Sequence, residues 1–400
     1  ALACRLLGAK PRTTGGTSAV RAFSSVFSQI LKLFPRSEFE GLVRKHRADR
    51  HSRGFTCWTQ FVSMLFCQLG RAQSLREICD GLTSIEGKLS HLGAQAPKRS
   101  SLSYANAHRP WQVYQDLFHH LLERCREVAP GHRFRFKNKL ISMDATTIDL
   151  CLSAFDWATF RRTKGGIKLH LLLDHDGHLP MLAVIREAKL HEAKIARFLE
   201  FPTGSILVFD RAYNDYEWFA ELGERGIFFV TRLKDRARYD VLSRRSESGA
   251  VLADERIVMV KEYPGLDPVE LRQIEFRTPE GETLHFLTNH FSLAASTIAA
   301  IYKERWQIET FFRAIKQNLR IKTFVGTSAN AVHIQIWTAL IAMLVLRYLQ
   351  LKSQTGWSLS NLLALLRFNL FAYRDLWAWL ADPGSPPTPP PEQIPLPQFG

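Results

Sequence analysis

The sequence predicts an α/β protein in which helical segments precede and follow a mixed β-sheet. Three observations favour this class. Apolar residues recur at helical spacing from Phe23 to about Val128, as in FTCWTQFVSMLFCQL and WQVYQDLFHHLLERC. Short runs rich in branched residues then alternate with helical stretches through residues 136–325. Helical spacing returns through residues 326–381.

The composition is that of a globular protein that attracts polyanions. Hydrophobic residues make up 46% of the 400-residue chain, a length that suits two or three domains. Lys and Arg outnumber Asp and Glu by 53 to 38, which gives a formal net charge of +15. This surplus predicts binding to DNA or RNA without choosing between them. A basic protein with no such partner is the alternative.

No apolar run is long enough to predict a membrane span, which needs about 20 residues. The longest run, from Ile334 to Leu346, predicts a buried helix instead. The six cysteines show no C-x-x-C spacing and lie mostly in apolar stretches. We therefore expect reduced thiols in a cytoplasmic protein without membrane association.

The two ends of the chain fall outside these patterns. Residues 1–22 are basic, with no acidic residue before Glu38, and are similar to a transit peptide. An upstream or vector-derived disordered extension is the preferred interpretation of this segment. Residues 382–400 are proline-rich and are predicted to be disordered.

Residues 23–135 are predicted to form an all-helical DNA-binding domain. Within it, the segment PKRSSLSYANAHRPW can form a short helix that Ser100 or Ser101 caps, and Pro110 can open the next helix. Basic, amide and aromatic side chains on such a helix suit the reading of a DNA groove. A solvated helical connection is the alternative.

Residues 136–325 are predicted to form a sheet-based core. The runs NKLISMDATTIDL, GIKLHLLLDHDGHL and PMLAVIREA predict three strands. A helix (HEAKIARFLE), a strand (SILVFD), a helix (NDYEWFAELGERG) and a strand (IFFVTRL) follow. This order, β-β-β-α-β-α-β, is typical of a ribonuclease-H-like sheet with helices on both faces. Alternating runs over residues 233–292 predict a β-rich insertion, and residues 326–381 a C-terminal helical region.

Two acidic residues lie in this predicted sheet among apolar neighbours. Asp144 stands within LISMDATTI, and Asp210 ends ILVFD. A buried acid costs stability unless it binds something. Neighbouring strands would bring both carboxylates to one edge, and Mg²⁺ or Mn²⁺ favours such oxygen ligands. For either residue alone, an aspartate that caps the turn after its strand is the alternative.

The helix IYKERWQIETFFRAIKQNL provides a third carboxylate. At about 100° per residue, one face of roughly 60° presents a phenol, a guanidinium, a carboxylate and an ammonium group. These groups belong to Tyr302, Arg305, Glu309 and Lys316. A separate apolar stripe can pack on the sheet, so the charged face points to the sheet edge. A solvated charged face is the alternative.

Basic residues near the predicted strands are further candidates for DNA contact. Lys164 and Lys168 are predicted at the hairpin after the first strand, where they either meet the DNA backbone or belong to a solvated turn. Arg211 follows Asp210 and is either a phosphate contact or an ion-pair partner for a carboxylate.

Histidines form one cluster in the segment KLHLLLDHDGH. His170 is predicted in a strand, and His175 and His178 at the turn that follows. No cysteine accompanies them, and the spacing does not favour a zinc site.

The spacing Y-(2)-R-(3)-E-(6)-K, formed by Tyr302, Arg305, Glu309 and Lys316, resembles the signature of IS4-type insertion-sequence transposases. SMDATTIDL and LVFDRAYNDY resemble that family's first and second aspartate motifs. A β-rich insertion before the glutamate is also typical of the family. The resemblance runs in order from about residue 23 to 380.

This resemblance implies a DDE transposase with a carboxylate triad. Asp144, Asp210 and Glu309 would hold two divalent ions, Mg²⁺ with Mn²⁺ as a substitute. The residues implied to contact phosphates beside the transposon end are Tyr302, Arg305 and Lys316, with Trp306 and Arg313 extending the same stripe. For Trp306, packing against the insertion is the alternative.

The implied reaction is cut-and-paste transposition in the bacterial cytoplasm, in association with the nucleoid. A homodimer would bind the terminal inverted repeats of double-stranded DNA, excise the element and join its 3′-hydroxyl ends to target DNA. Relatives that form hairpin ends lead us to expect the same route here. The alternatives are a nuclease of the same fold that never joins strands, and a catalytically inactive DNA-binding derivative.

Overall fold

The computed structural model describes residues 24–384 apart from 51, 53, 151–154, 156, 158, 162–163, 188–195, 246–248, 260–268, 320, 322–323 and 354–355. The helices before the sheet are α1 (Val26–Leu31), α2 (Arg36–Lys45), α3 (Cys57–Gly70), α4 (Leu75–Thr83), α5 (Glu86–Leu89), α6 (Arg99–His108) and α7 (Gln112–Val128). The strands, with one helix among them, are β1 (Leu140–Leu150), β2 (Thr159–Arg161), β3 (Lys164–Asp174), β4 (Leu179–Glu187), β5 (Ile206–Phe209), α8 (Tyr216–Glu224), β6 (Phe228–Arg232), β7 (Tyr239–Arg244), β8 (Val251–Met259), β9 (Glu270–Arg277) and β10 (Thr283–Thr288). The helices that follow are α9 (Ala295–Glu304), α10 (Trp306–Asn318), α11 (Ala329–Ser353), α12 (Leu359–Asn369) and α13 (Leu376–Ala381).

Three predicted segments lie wholly or mostly outside the described residues. They are the extension over residues 1–22, most of the proline-rich tail over residues 382–400, and the helix predicted at HEAKIARFLE, of which only the last turn is described.

The N-terminal helices begin where the sequence offers a capping side chain. Ser25, Thr56 and Ser74 each accept a hydrogen bond from the backbone amide three residues further on. Such a bond satisfies one of the amides that a helix start leaves unpaired. α3 is buried along nearly all of its length, so it forms the centre of this helical segment.

The sheet has ten strands in the order β2-β3-β1-β5-β6-β10-β9-β8-β7, and β4 also pairs with β3. β3 is antiparallel to both β1 and β4, whereas β5 is parallel to β1 and β6 is parallel to β5. The five strands of the predicted β-β-β-α-β-α-β order therefore lie side by side as β4-β3-β1-β5-β6.

The insertion extends this same sheet. β10 pairs antiparallel with β6, and β9, β8 and β7 follow outwards. Two strands were not predicted. β7 is exposed along most of its length and has no buried face to produce an alternating pattern. β2 spans three residues, which is too short for a period of two to be recognised.

The two faces of the sheet pack on different helices. Leu140, Ile206 and Val208 pack with α9 on one face. Ile141 and Phe209 pack with α8 on the other face. Because side chains alternate along a strand, even-numbered residues of β1 and β5 point towards α9.

The helices that precede and follow the sheet share one apolar core. α11 contacts both α3 and α7, and α1, α12 and α13 contribute to the same cluster. Every residue from Ile334 to Leu346 is buried, so the predicted buried helix is confirmed. α11 alone, in the described chain, has the length and hydropathy of a membrane span, but 83% of its most apolar window is buried inside the protein.

We expect Trp337→Ala to destabilise the protein because the Trp337 side chain is only 1% exposed and packs on the rings of Trp111 and Phe118. Truncating a buried tryptophan costs about 3–5 kcal/mol. The measurement is the urea midpoint followed by circular dichroism. Trp306→Ala is the matched control, since Trp306 is 53% exposed. Equal midpoints for the two variants would contradict the placement of α11 in the core.

Candidate active site

The carboxyl ends of β1 and β5 bring two aspartates together. The parallel pairing of these strands runs up to Met143 opposite Phe209, so Asp144 and Asp210 are the next residues in register. Adjacent strands lie about 4.8 Å apart. Both residues are even-numbered, so both side chains point to the sheet face that packs on α9.

Each aspartate also accepts a local backbone hydrogen bond. Asp210 Oδ1 accepts from the amide of Ala212 at 3.0 Å and caps a short 3₁₀ helix, Arg211–Tyr213. Asp144 Oδ1 accepts from the amide of Ala145 at 2.7 Å. An aspartate that caps the turn after its strand was the alternative for either residue alone, and Asp210 does cap such a turn. The cap uses only one of its two carboxylate oxygens.

The helix that provides the third carboxylate is broken at Arg305 rather than continuous. α9 ends at Glu304 and α10 begins at Trp306. Between them, the Arg305 amide donates to the Tyr302 carbonyl at 3.0 Å, which is a tighter turn than that of an α-helix. Periodicity alone cannot locate such a turn, because Arg305 keeps a right-handed helical backbone and the spacing of side chains is almost unchanged.

Arg305 lies between two of the three carboxylates. Its Nη1 is 3.4 Å from Asp144 Oδ2, and its Nη2 is 2.6 Å from Glu309 Oε1. Side-chain exposure is 14% for Arg305, 18% for Asp144 and 30% for Glu309. Water screens these charges only partly, so the guanidinium offsets much of the repulsion between the carboxylates.

The pKa directions at the site agree with this arrangement. Burial acts to lower the pKa of Arg305, but Tyr302, Glu309 and Asp144 outweigh it, and the pKa of Arg305 is raised. Burial raises the pKa of Tyr302, and the negative charge of Asp210 adds to this effect while Arg305 opposes it. Tyr302 is therefore a neutral phenol, and the Arg305 guanidinium lies 5.6 Å from the centre of its ring.

Lys316 binds β1 two residues beyond Asp144. Its Nζ donates to Thr146 Oγ1 and to the Thr147 carbonyl, the latter at 3.1 Å. Thr146 shares the sheet face of Asp144, so one helix places Arg305, Glu309 and Lys316 along a single strand. Thr146 was missed as a partner, although the period of two from Asp144 already places it on this face.

The remaining predicted DNA contacts lie around this group with different degrees of exposure. Arg211 was expected to be either a phosphate contact or an ion-pair partner for a carboxylate. It forms an ion pair with Asp235 at 2.8 Å. Arg313 is exposed, and the half-exposed ring of Trp306 is not buried against the insertion.

The two lysines predicted at a hairpin turn lie instead in β3. The strand begins at Lys164, and Lys168 lies within it, half-buried opposite Thr147 of β1. The Lys164 side chain is outside the described residues.

One residue of the histidine cluster, His175, contacts both β1 and the last residue of α9. His175 Nε2 lies 2.7 Å from Ser142 Oγ, and its Nδ1 lies 3.8 Å from Glu304. Burial lowers the pKa of His175 to about 3, so this ring is neutral. Glu304, the residue before Arg305, also pairs with Arg133 at 2.6 Å. These contacts fix the position of the end of α9.

The donor set fits a hard divalent cation. Carboxylate oxygens are the ligands that Mg²⁺ and Mn²⁺ prefer, and the Arg305 guanidinium already occupies a cation position between Asp144 and Glu309. With Arg305 in that position, no three His, Cys, Asp or Glu side chains of the described chain are arranged to hold a metal ion. The site is thus a group of carboxylates at the edge of a mixed sheet, two of which pair with one guanidinium.

Comparison with known proteins agrees with this class of site. A family described as "Transposase DDE domain" matches residues 135–345, a range that includes Asp144, Asp210 and Glu309. A "Domain of unknown function (DUF4372)" matches residues 23–95. The chain therefore belongs to the family of transposases with a DDE domain.

Three proteins named as transposases are similar in sequence. Transposase y4zB of Sinorhizobium fredii is 33% identical over 63% of this chain and 71% of its own length. The transposase for insertion sequence element IS5377 of Geobacillus stearothermophilus is 30% identical over 65% and 70%. That for element IS4SA of Synechocystis is 24% identical over 67% and 76%. The predicted membership of the insertion-sequence transposase family is confirmed.

One solved structure aligns over most of the chain. It is the cryo-EM structure of a piggyBac transposase synaptic complex with hairpin DNA, which aligns with 86% of this chain and 80% of that chain. The TM-score is 0.41 and the sequence identity 9%, so no inference about this site follows from the alignment.

We expect Arg305→Gln to bind Mn²⁺ more tightly than the intact protein does in the absence of DNA. Removing a unit positive charge from a partly buried site changes interaction energies by about 1–4 kcal/mol, which corresponds to about fivefold to several hundredfold in affinity. Isothermal titration calorimetry with Mn²⁺ measures the change. Arg305→Lys keeps the charge and is the control. Unchanged affinity in Arg305→Gln would show that this guanidinium does not compete with a metal.

Proposed function

We propose that this protein is the transposase of an insertion sequence, with a ribonuclease-H-like catalytic core over residues 136–325. The strand order β4-β3-β1-β5-β6, with β5 and β6 parallel to β1, supports this assignment. The helical segment over residues 23–135 binds the terminal inverted repeats, and residues 233–292 are the insertion. The helices over residues 326–381 complete the helical core.

The observation on which the proposal depends is the register of Asp144 and Asp210 on adjacent parallel strands. Glu309 meets Asp144 through their shared partner, Arg305. We infer that these three carboxylates are the catalytic residues and the metal ligands. Two Mg²⁺ ions, or Mn²⁺ in their place, would activate water or a 3′-hydroxyl and stabilise the leaving oxygen of the phosphodiester.

The protein's own residues set up this reaction. Thr146 and Thr147 fix Lys316 along β1, and Glu304 fixes the turn that presents Arg305. DNA binding would exchange the bonds that Arg305 and Lys316 make to the protein for bonds to phosphates, and Arg suits bidentate contact of this kind. Tyr302 remains a neutral donor beside them.

Further contacts to DNA are assigned to the surface around this helix. Trp306 and Arg313 belong to α10, and Arg211 follows Asp210 at the end of β5. Lys168 lies opposite Thr147, on the other face of the sheet from Asp144, and we keep it in this set on the resemblance. We keep Lys164 in this set on the resemblance alone. Because two ends must be held together for joining, we propose a homodimer on DNA, acting in the bacterial cytoplasm and nucleoid.

We expect Asp144→Asn, Asp210→Asn and Glu309→Gln each to lose Mg²⁺-dependent cleavage and joining by about 10³-fold or more, because a neutral amide cannot replace a carboxylate ligand. DNA binding should persist. The substrate is a DNA that bears both ends of the element that encodes this chain. Asp149→Asn is the matched control, since Asp149 is exposed and lies on the opposite face of β1.

The products distinguish the rival functions. Joined products from the intact protein, absent in the three variants, support the transposase. Cleavage that never leads to joining would instead indicate a nuclease of the same fold. Tight binding with no turnover by the intact protein would indicate an inactive DNA-binding derivative.

We further propose that the second strand is cut by attack of the freed 3′-hydroxyl on the opposite strand, which leaves a hairpin at each end of the element. This expectation rests on the resemblance in signature and insertion. A cleavage time course on denaturing gels should show an end-labelled species of about twice the strand length of the excised end. Excised linear ends with no hairpin species at any time would refute this route.

A further inference from the structure

α6 presents a polar face to solvent and an apolar face to the helical core. Leu102 and Ala105 are buried, and the exposed side chains include Ser103, Tyr104 and His108. The Tyr104 side chain is 67% exposed, yet its ring is held by stacking on His108 at a centroid distance of 4.1 Å. The Tyr104 ring is therefore exposed and fixed in position, so it can contact a bound molecule.

Two clefts of similar size flank this exposed face. The first, of about 610 Å³, is lined by the Tyr104 and His108 side of α6 together with Arg47 and Arg50. The second, of about 620 Å³, is lined by the Arg99 side of α6 together with Arg76. α6 is therefore a ridge between two grooves. The first groove contains three arginines, of which Arg109 pairs with Asp49 at 3.7 Å, and the second groove contains two.

The other four arginines, Arg47, Arg50, Arg76 and Arg99, are not neutralised by the described residues. All four are exposed, and none makes an ion pair with a described residue. No Asp or Glu is among the described residues that line either cleft. The acids nearest to them in the sequence have other partners. Asp49 accepts from the Cys57 amide at 3.1 Å and pairs with Arg109 at 3.7 Å, and Glu77 accepts from the Gln73 amide at 2.9 Å.

The ridge is fixed to the rest of the protein. Gln60 donates to buried Asn106 at 2.9 Å. Asn330, in the first turn of α11, donates to the carbonyls of Asn106 and Arg109 at 2.8 and 2.7 Å. The second cleft is bounded by Phe324 and Val325, which follow α10 in the chain. The ridge is thus held rigidly and adjoins the segment that follows the catalytic helix.

We propose that α6 enters the major groove of duplex DNA, with Ser103, Tyr104 and His108 towards the base edges. The major groove is about 12 Å wide and admits one helix, and the two phosphate backbones then lie on either side of that helix. The two arginine-lined clefts occupy those two sides. This inference rests on the proposed function only in taking duplex DNA as the substrate.

The test measures the salt dependence of DNA binding by the full-length protein. A fluorescent 40-base-pair duplex of random sequence is titrated in EDTA at several salt concentrations. Arg47→Ala with Arg50→Ala, and Arg76→Ala with Arg99→Ala, should each reduce the slope of log K against log salt by about 2, because each phosphate contact contributes about 0.9. Lys32→Ala with Arg225→Ala, two exposed charges outside both clefts, is the matched control and should leave the slope unchanged.

A second measurement tests base contact. Selection of bound duplexes from a random pool should give a sequence preference that Tyr104→Ala weakens without changing the salt slope. Since Tyr104 and the four arginines are exposed, thermal midpoints should equal that of the intact protein.

The outcomes separate this inference from the proposed function. If both cleft variants behave like the control while the intact protein binds and cuts DNA, α6 does not read the DNA and the transposase assignment stands. If the intact protein binds no duplex, both fail. Preference for single-stranded RNA over the duplex would also overturn the placement of α6 in a DNA groove.

Discussion

Repulsion between like charges at one edge of the sheet is the constraint on which the rest of the structure depends. Parallel pairing of β1 and β5 forces Asp144 and Asp210 into neighbouring positions, and α10 adds Glu309 to the same half-buried region. Three carboxylates so placed need a cation. Arg305 provides one between Asp144 and Glu309, where its guanidinium contacts both side chains.

The helical layer explains how the third carboxylate reaches this edge. α9 packs on the sheet through apolar side chains, and α10, which follows the turn at Arg305, contacts β1 through Lys316. α11 then returns through the core that it shares with α3 and α7. The same helices hold α6 at the surface, so the proposed DNA ridge and the carboxylate site belong to one rigid scaffold. If one duplex contacted both α6 and the carboxylate site, the packing of these helices would set its position between them.

Much of this arrangement could be predicted from sequence because it is local. Asp144 and Asp210 stand out as acids within apolar strands, and helical spacing places Arg305 and Glu309 on one face. The rest depends on contacts between distant segments. β7 has no buried face, the turn at Arg305 leaves the residue spacing intact, and the grouping of Arg47 and Arg76 around α6 arises from tertiary packing alone. Lys168 was predicted at a hairpin, yet it lies inside β3, paired with Thr147 of β1.

The most direct test of the central claim is the position of Mn²⁺ in crystals of the full-length protein bound to DNA, determined from anomalous scattering. The account predicts density bonded to carboxylate oxygens of Asp144 and Asp210 at about 2.0–2.2 Å, with Glu309 turned from Arg305 towards the metal and Arg305 on a phosphate. Mn²⁺ bound elsewhere, with Arg305 still bridging Asp144 and Glu309 in the DNA complex, would contradict it.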